Sequence, residues 1–304
     1  MYPVGLAFYT APAMRISILY KHCALLLLAV ALLPGCSAVR VVYNQADTLL
    51  SWMAHDYFDF EPLQKQDFNA RLDALLVWHR HEQLPEYARF LGEIKQRAER
   101  NITRDDALWL LDGMKSRYRT IAVKGLPDAV ELLAGLTPDN IKALQKQFDK
   151  TNKKFADEHK LDGNAEARRR ARLDRTLKRT RDWTGPLTPA QEARISALND
   201  TIPYTDHLRQ QDRQRRQKEF LALLNARGNK AEFARTLRPW LADWESGRPP
   251  AMHAALDEGY EKRMVLYLEV QHSLTPQQRT QVQQKLQGYI DDLNALSAKR
   301  VVVN

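Results

Sequence analysis

The residues with the clearest capacity for chemistry are two small groups that contain histidine. His79, His81 and Glu82 lie in the segment WHRHE, and His253 lies four residues before Asp257. Successive helical residues turn by about 100°, so residues two apart point in different directions and the first two histidines are poorly placed to share a metal. His253 and Asp257 share a helical face, but no third ligand is near, and an exposed ion pair is the simpler interpretation. We therefore predict no metal site.

The sequence fingerprints of the common enzyme classes are missing from the chain. It contains no G-x-G-x-x-G segment, no phosphate-binding P-loop and no G-x-S-x-G nucleophile elbow. The adjacent carboxylates Asp105-Asp106 and Asp291-Asp292 would splay apart on a helix, which does not suit paired acid–base catalysis. The first pair is better placed to stabilise a helix N-terminus. We expect a protein that is not an enzyme and that needs no cofactor.

Cys36 is the residue for which the sequence predicts a covalent modification. A positive stretch with Arg15 and Lys21 precedes an 11-residue apolar run at 23–33, and the segment LLPGC follows. This order is typical of an export signal, and the Leu and Gly before the cysteine resemble a bacterial lipobox. Cleavage after residue 35 would remove Cys23 and leave Cys36 first and unpaired. We predict that 1–35 is a cleaved lipoprotein signal peptide and that Cys36 carries lipid; an ordinary signal with an incidental cysteine is the alternative.

The predicted anchor also indicates where the protein would work. By resemblance to lipoprotein sorting in Gram-negative bacteria, Ser37 indicates the outer membrane, with 36–304 facing the periplasm as a single helical domain. Met14 begins a compact signal and is an alternative start. The formal charge is +9, and it falls to about +7 when Arg15 and Lys21 leave with the signal, because 44 basic residues then face 37 acidic ones. This charge favours anionic envelope surfaces or acidic polypeptides as partners, and we expect no nucleic acid.

The basic residues concentrate in one long polar segment, 148–183. Leu173 and Leu177 give it only a narrow apolar stripe, so we expect an exposed helix that is loosely separate from the body. A second basic run, 209–218, is interpreted in the same way. We predict that eight residues of the first run bind an anionic partner, with a solvated helix face as the alternative: Arg168, Arg169, Arg170, Arg172, Arg175, Lys178, Arg179 and Arg181.

Composition and helix-start signals predict an all-α protein. Only 12 glycines and 14 prolines occur, and apolar residues recur at helical spacing, as from Phe233 to Trp244. Three Leu-Thr-Pro segments place Thr where it can cap a helix and Pro at the first helical position. In the second and third segments a Gln three residues after the Thr completes a capping box; the first has Asn140 there and is a weaker version. FEPLQ at 60–64 is a degenerate fourth copy. We expect roughly eight to ten antiparallel helices, one long and basic; the capping residues are Thr137, Thr188, Gln191, Thr275 and Gln278.

Two family resemblances follow from these segments. The segments at 187–191 and 274–278 match the LTxxQ pattern and resemble the Spy-like periplasmic proteins, which are all-α envelope-stress chaperones. The lipobox together with 41–68 and 71–91 resembles a Gram-negative lipoprotein family, domain-of-unknown-function family 6279, to which no activity is assigned. The first resemblance implies chaperone-like binding, and the second implies a helical, lipid-anchored protein.

These observations favour a binding or structural protein over an enzyme. We expect an outer-membrane lipoprotein that binds unfolded or acidic polypeptides, or anionic envelope components, in a groove rimmed by 168–181. The alternative is an assembly or scaffold factor that docks to one envelope protein complex through the same helices.

Overall fold

The protein is entirely helical over the residues that its structure describes. The structure is a computed structural model that describes residues 38–298, and within that range it contains twelve α-helices, one π-helical turn and no strand. The all-α fold class is thereby confirmed. The predicted signal peptide, Cys36 and the tail from residue 299 lie outside the described residues. The helices are α1 (Ala38–Asn44), α2 (Ala46–Phe58), α3 (Pro62–Trp78), α4 (Leu84–Ala98), α5 (Arg104–Ala134), α6 (Pro138–His159), α7 (Ala165–Thr184), α8 (Pro189–Thr201), α9 (Asp206–Asn225), α10 (Lys230–Ala242), α11 (Pro250–His272) and α12 (Pro276–Ser297).

Two of the junctions between helices interrupt the chain very little. Gln45 alone separates α1 from α2, and the π-helical turn His79–Gln83 joins α3 directly to α4. A π turn is a local widening within an otherwise α-helical segment, so it does not end the helix. If each of these pairs is counted once, the twelve segments make ten helices, which agrees with the expected eight to ten.

Several pairs of contacting helices pack antiparallel, both between consecutive helices and between helices far apart in the sequence. In the pair α5–α10, the Tyr118 hydroxyl donates to the Leu241 carbonyl at 2.7 Å, and Lys230 Nζ lies 2.5 Å from Glu131 Oε2. The end of α5 therefore meets the start of α10, and the middle of α5 meets the end of α10. Hydrogen bonds and ion pairs show the same antiparallel arrangement for the π-helical turn and α4 against α12, for α6 against α9 and for α7 against α8.

The capping segments of α8 and α12 contact each other. The hydroxyls of Thr188 and Thr275 accept hydrogen bonds at 3.2 Å from the backbone amides of Gln191 and Gln278. The side chains of those two glutamines are buried and bond to each other. The caps thus start two helices and also join them, although the sequence indicated only the first role.

The degenerate segment at 60–64 forms a second pair of this kind. The side chain of Gln64 accepts from the Glu61 backbone amide at 3.0 Å, and its Nε2 donates to Asn140 Oδ1 at 2.9 Å. Thr137 is the N-cap residue of α6, and its hydroxyl accepts a hydrogen bond from the backbone amide of Asn140. The four capping segments therefore meet in two pairs, α3 with α6 and α8 with α12.

A group of buried apolar side chains lies beside each capping pair. Phe60 and Leu136, which precede the caps of α3 and α6, lie in a core with side chains of α5, α6, α9 and α10. Leu187 and Leu274, which precede the caps of α8 and α12, pack against a second core of Ile195, Ile202, Leu266 and Val270. An apolar residue before the cap fixes the angle at which the chain enters the helix. Each capping pair therefore closes one end of a core.

Several apolar side chains of α1 and α2 are exposed. Val41, Val42, Leu49, Trp52 and Met53 are each between 44% and 66% exposed. Within residues 38–298, no helix combines the length and the apolar character that crossing a bilayer would need. The exposed apolar side chains belong instead to two short helices at the beginning of the described chain.

Candidate anion-binding site

Helix α7 carries the basic run that the sequence singled out, and the structure divides that run into groups. Arg169 contacts Asp200 at 2.9 Å, and Arg181 contacts Glu192 at 2.5 Å. Both acids belong to α8, which lies antiparallel to α7 and therefore presents its carboxylates to this face. These two arginines are engaged within the chain, so the eight residues do not form one continuous cationic surface.

The remaining residues of the run differ in what they contact. Arg168 donates to the Gly163 carbonyl and lies over the ring of Tyr204, with its guanidinium carbon 4.6 Å from the ring centroid. Three residues are exposed and form no hydrogen bond or ion pair with another described residue: Arg170, Lys178 and Arg179. Arg172 and Arg175, together with Arg179, turn toward a cavity.

This cavity lies where α6, α7, α9 and α11 meet at the end of α8. It has a volume of about 160 Å³. Five arginines line it and Asp206 is its one carboxylate, an excess of four positive charges. We call it the arginine cavity; its basic residues are Arg172, Arg175, Arg179, Arg209 and Arg263.

Asp206 is the centre of the polar contacts in the arginine cavity. Its side chain is 8% exposed, and its Oδ2 lies 3.0 Å from His159 Nδ1 and 3.6 Å from a terminal nitrogen of Arg175. Arg209 is more distant, with Nη1 3.8 Å from Asp206 Oδ1. One carboxylate accepts only a few hydrogen bonds, so it cannot satisfy five guanidinium groups.

Arg263 is the most strongly desolvated of these arginines. Burial lowers the pKa of its guanidinium to about 10, and the neighbouring charge of Arg209 acts in the same direction. This pKa is still well above neutral, so the group remains charged. Its Nη1 atom is buried and has no hydrogen-bond partner among residues 38–298. A buried cation without a full set of acceptors is unfavourable for folding, so some other benefit is expected of it.

Two further guanidinium nitrogens near the cavity lack a partner in the described part of the chain. Nε of Arg172 and Nε of Arg209 are buried there without a hydrogen bond. The terminal nitrogens of Arg172 are already used, because they donate to the carbonyls of Asn199 and Ile202 at 2.8 Å and so complete the C-terminus of α8. Burial also lowers the pKa of Arg172. Arg172 therefore has a structural role as well as a place in the cavity wall.

The arrangement is suited to holding an anion. Carboxylate and phosphate groups accept charge-assisted hydrogen bonds from guanidinium groups, and Arg binds them with good geometry. A bound anion would supply the acceptors that Asp206 alone does not, and would offset the excess positive charge. The geometry therefore indicates a site for an acidic group, such as a carboxylate or a phosphate.

The other histidines and carboxylates considered for catalysis or metal binding contact neighbouring side chains of the fold. His79 Nδ1 lies 2.9 Å from the Tyr43 hydroxyl, and burial lowers the pKa of His79. His253 and Asp257 are about half exposed, and the Nε2 atom of His253 contacts Asp257 Oδ2 at 3.5 Å, as expected from their spacing on one helical face. Among residues 38–298, no group of three or more His, Cys, Asp or Glu side chains is arranged to hold a metal. Asp106 is a helix-capping residue, held by Arg97 and Arg100.

Sequence reasoning missed two of the five cavity arginines. Arg209 falls in the second basic run, 209–218, which was expected to be solvated. That expectation is wrong for much of the run, because α9 lies against α6 and α10, where Arg213 bonds to Asn152 and Arg216 to the Trp240 carbonyl. The signal for Arg263 is weak: it is the second of two adjacent cations, Lys262 and Arg263, before the apolar stretch MVLYL of α11.

The fold and the site together define an all-helical protein with an arginine-lined cavity between its helices. The chain belongs to the family of unknown function DUF6279, which matches residues 56–251. The family membership expected from the lipobox and the segments at 41–68 and 71–91 is thus confirmed, while the resemblance to the Spy-like proteins stays a prediction. No curated protein and no solved structure matches the chain. Four of the five cavity arginines lie within the family match, and Arg263 lies beyond it.

Proposed function

We infer that this chain is an envelope lipoprotein that binds an anionic ligand without chemical conversion. The observation that carries the proposal is the arginine cavity, in which five guanidinium groups surround one carboxylate. The ligand group is a carboxylate or a phosphate, since both accept several N–H donors at once. The expected class of anionic envelope components is thereby narrowed to ligands with an acidic group small enough for a cavity of about 160 Å³.

The energetics of the cavity support a binding role over a purely structural one. Buried charges that lack partners reduce stability, and apolar side chains of similar size usually fill such a site at least as well. Arg263 and Arg209 are weakly paired within the described residues, since Arg209 Nη1 lies 3.8 Å from Asp206 Oδ1 and Nη1 of Arg263 has no hydrogen-bond partner there. Binding of an anion recovers this cost, and the free energy recovered adds to the affinity.

The proposed location is the periplasmic face of the outer membrane, with Cys36 as the lipid anchor. The sequence places Ala38, the first residue of α1, two residues after Cys36. The exposed apolar residues of α1 and α2, including Val41, Leu49 and Trp52, support a position at the lipid surface. Short helices with an apolar face lie in the interfacial region of a bilayer, and Trp prefers that region.

A second candidate function is docking to an acidic polypeptide or to one envelope protein complex. Arg170 and Lys178 favour it, because they are exposed on α7 and have no partner among the described residues. Cross-linking in cells from a photoreactive residue at position 170 or 178 distinguishes binding of many polypeptides from docking to one complex. Many cross-linked proteins would indicate chaperone-like binding of clients, and one dominant product would indicate a scaffold.

The anion-binding proposal is tested by thermal unfolding of the full chain in zwitterionic lipid nanodiscs. Inorganic phosphate, at constant ionic strength against chloride, should raise the Tm in a saturable way, since a ligand that binds only the folded state stabilises it. Arg179→Gln and Arg263→Gln should weaken this rise. Arg170→Gln is the matched control, because Arg170 lies on the same helix as Arg179 but does not line the cavity.

Two results would contradict anion binding in the arginine cavity. The first is a wild-type Tm that responds equally to phosphate and chloride. The second is a loss of the phosphate effect in Arg170→Gln as large as the loss in Arg179→Gln, which would indicate general charge screening.

A further inference from the structure

An apolar cleft lies next to the arginine cavity. It is formed by α4, α5 and α11 and has a volume of about 370 Å³, within the range of roughly 300–1,000 Å³ that is usual for small-molecule sites. Its wall is almost entirely apolar, and it opens to solvent beside Leu111, which is 46% exposed. The apolar side chains that form the wall include Ile94, Trp109, Leu110, Met264 and Leu268.

The cleft and the arginine cavity share part of their wall. Arg263 and Tyr267 line both spaces. At this junction the surroundings change from apolar side chains to the group of guanidiniums, and Nη1 of Arg263 has no hydrogen-bond partner within the described range. The two spaces together therefore present a long apolar part and a cationic end.

The other charged residues of the cleft are already satisfied. Arg97 contacts Asp106 at 2.6 Å, and its guanidinium carbon lies 4.0 Å from the centroid of the Trp109 ring. Asp106 also receives hydrogen bonds from Arg100 and Thr103. An acidic ligand group is consequently favoured only at the Arg263 end, which gives the joint site a direction.

We propose that the joint site binds a single-chain anionic amphiphile, with its acidic group in the arginine cavity and its acyl chain in the apolar cleft. This inference rests on the proposed anion-binding function and adds the chemical class of the ligand. Charge complementarity selects the acidic end, and burial of the chain supplies the apolar contribution to affinity. A fatty acid and a lysophospholipid carry the same two features, a chain and an anionic head, and differ in whether that head is a carboxylate or a phosphate.

The test uses photoreactive lipids with the full chain in zwitterionic nanodiscs. Three probes carry a diazirine near the end of the same hydrocarbon chain: palmitic acid, lysophosphatidic acid and uncharged palmityl alcohol. After irradiation, mass spectrometry maps the labelled peptides. We expect the label on peptides of α5 and α11, with at least one acidic probe labelling about tenfold more than the alcohol, because a hydrogen-bonded charge contributes on that scale.

Two variants and a control locate the binding mode. Ala107→Trp fills the cleft from α5 and should abolish labelling, while the phosphate-dependent rise in Tm persists, since Ala107 lines the cleft and not the arginine cavity. Arg263→Gln should reduce the preference for the acid over the alcohol. Arg170→Gln should change neither result. The comparison of acid with alcohol on the wild-type chain needs no variant, so it remains decisive if a variant does not fold.

The outcomes separate this inference from the proposed function. A phosphate effect on Tm with no labelling of α5 and α11 overturns the amphiphile site and leaves anion binding in place. Equal labelling by acid and alcohol also overturns it. Absence of both the phosphate effect and the labelling removes both proposals. A photoreactive residue at Leu111 that cross-links to a second copy of the chain would show that another protein molecule covers the cleft, and this result would overturn the inference.

Discussion

Gln191 and Gln278 form a reciprocal pair of side-chain amides between α8 and α12. Nε2 of Gln191 donates to Oε1 of Gln278 at 2.8 Å, and Nε2 of Gln278 donates to Oε1 of Gln191 at 3.0 Å. Each Nε2 also donates to a backbone carbonyl just before the partner's capping segment, that of Ser273 or Pro186. Each Oε1 accepts from the backbone amide of its own N-cap threonine. Both buried amides thus use all their hydrogen-bonding capacity.

This pair predicts a large and non-additive effect on stability. Gln191→Ala should lower the free energy of unfolding by about 1–3 kcal/mol, because it removes one donor and one acceptor partner of the buried Gln278 amide and the donor to the Ser273 carbonyl. Chemical denaturation measures the loss. Gln277→Ala is the control, since Gln277 is exposed and lies one residue from Gln278. The double variant Gln191→Ala/Gln278→Ala should lose less than the sum of the single changes; strict additivity would argue against the pair.

Asp106 should make stability depend on pH in acid. Hydrogen bonds from Arg100, then from the Thr103 backbone and Arg97, hold the pKa of Asp106 well below its usual value of 3.8. A carboxyl with a lowered pKa contributes stability above its unfolded-state pKa and loses that contribution as the pH falls through its folded-state pKa. Asp106→Asn should therefore cost about 2 kcal/mol near neutral pH.

The difference between wild type and Asp106→Asn should shrink as the pH falls below about 4, because only the wild-type chain has this contribution to lose. Denaturation curves across pH measure it. Asp105→Asn is the matched control, since Asp105 is the exposed neighbour, and its effect should stay within about 0.5 kcal/mol. A gap that is constant from neutral to strongly acidic pH would show that Asp106 contributes through shape and not through charge.

Replacement of Arg263 should weaken anion binding without lowering the free energy of unfolding. Arg263→Met removes a buried, incompletely bonded cation and keeps an unbranched apolar stem, so the free energy of unfolding without ligand should stay equal or rise by about 1 kcal/mol. The same variant should lose the phosphate-dependent rise in Tm. Arg170→Met, an exposed control, should leave both quantities unchanged. A clearly destabilised Arg263→Met would mean that Arg263 is a structural residue.

Attachment of the protein to the membrane should depend on the Cys36 thiol. Cys36→Ser should abolish incorporation of alkyne-labelled palmitate and stop processing of the precursor, since the thiol is the acceptor of the lipid. Labelling in growing cells, followed by membrane fractionation, measures both. Cys23→Ser should remain lipidated, because Cys23 lies within the predicted signal. If the Cys36→Ser product still carries label, the lipobox interpretation is wrong and an ordinary export signal is the better one.

The helix starts could be predicted from the sequence because capping is local. A threonine and the polar residue three positions later are brought together by the first helical turn itself, so Thr137, Thr188 and Thr275 begin helices wherever those helices pack. Apolar spacing likewise predicted the all-α class, because a helix must bury one face. The segment at 60–64 has a weaker capping pattern, with Glu61 in place of Thr. In the structure Gln64 is the N3 residue of α3.

Only the tertiary structure decided which caps pair and which cations converge. Gln191 and Gln278 are 87 residues apart, and the interval from Arg172 to Arg263 contains all of α8 and α9. Each arginine is compatible with a solvated helix face by its local sequence, and its surroundings depend on which helix lies opposite. Antiparallel packing places acidic residues of α8 next to Arg169 and Arg181. Arg263 is instead desolvated beside Arg209. The sequence does not show this difference, because electrostatic interaction depends on distance in space and not on separation along the chain.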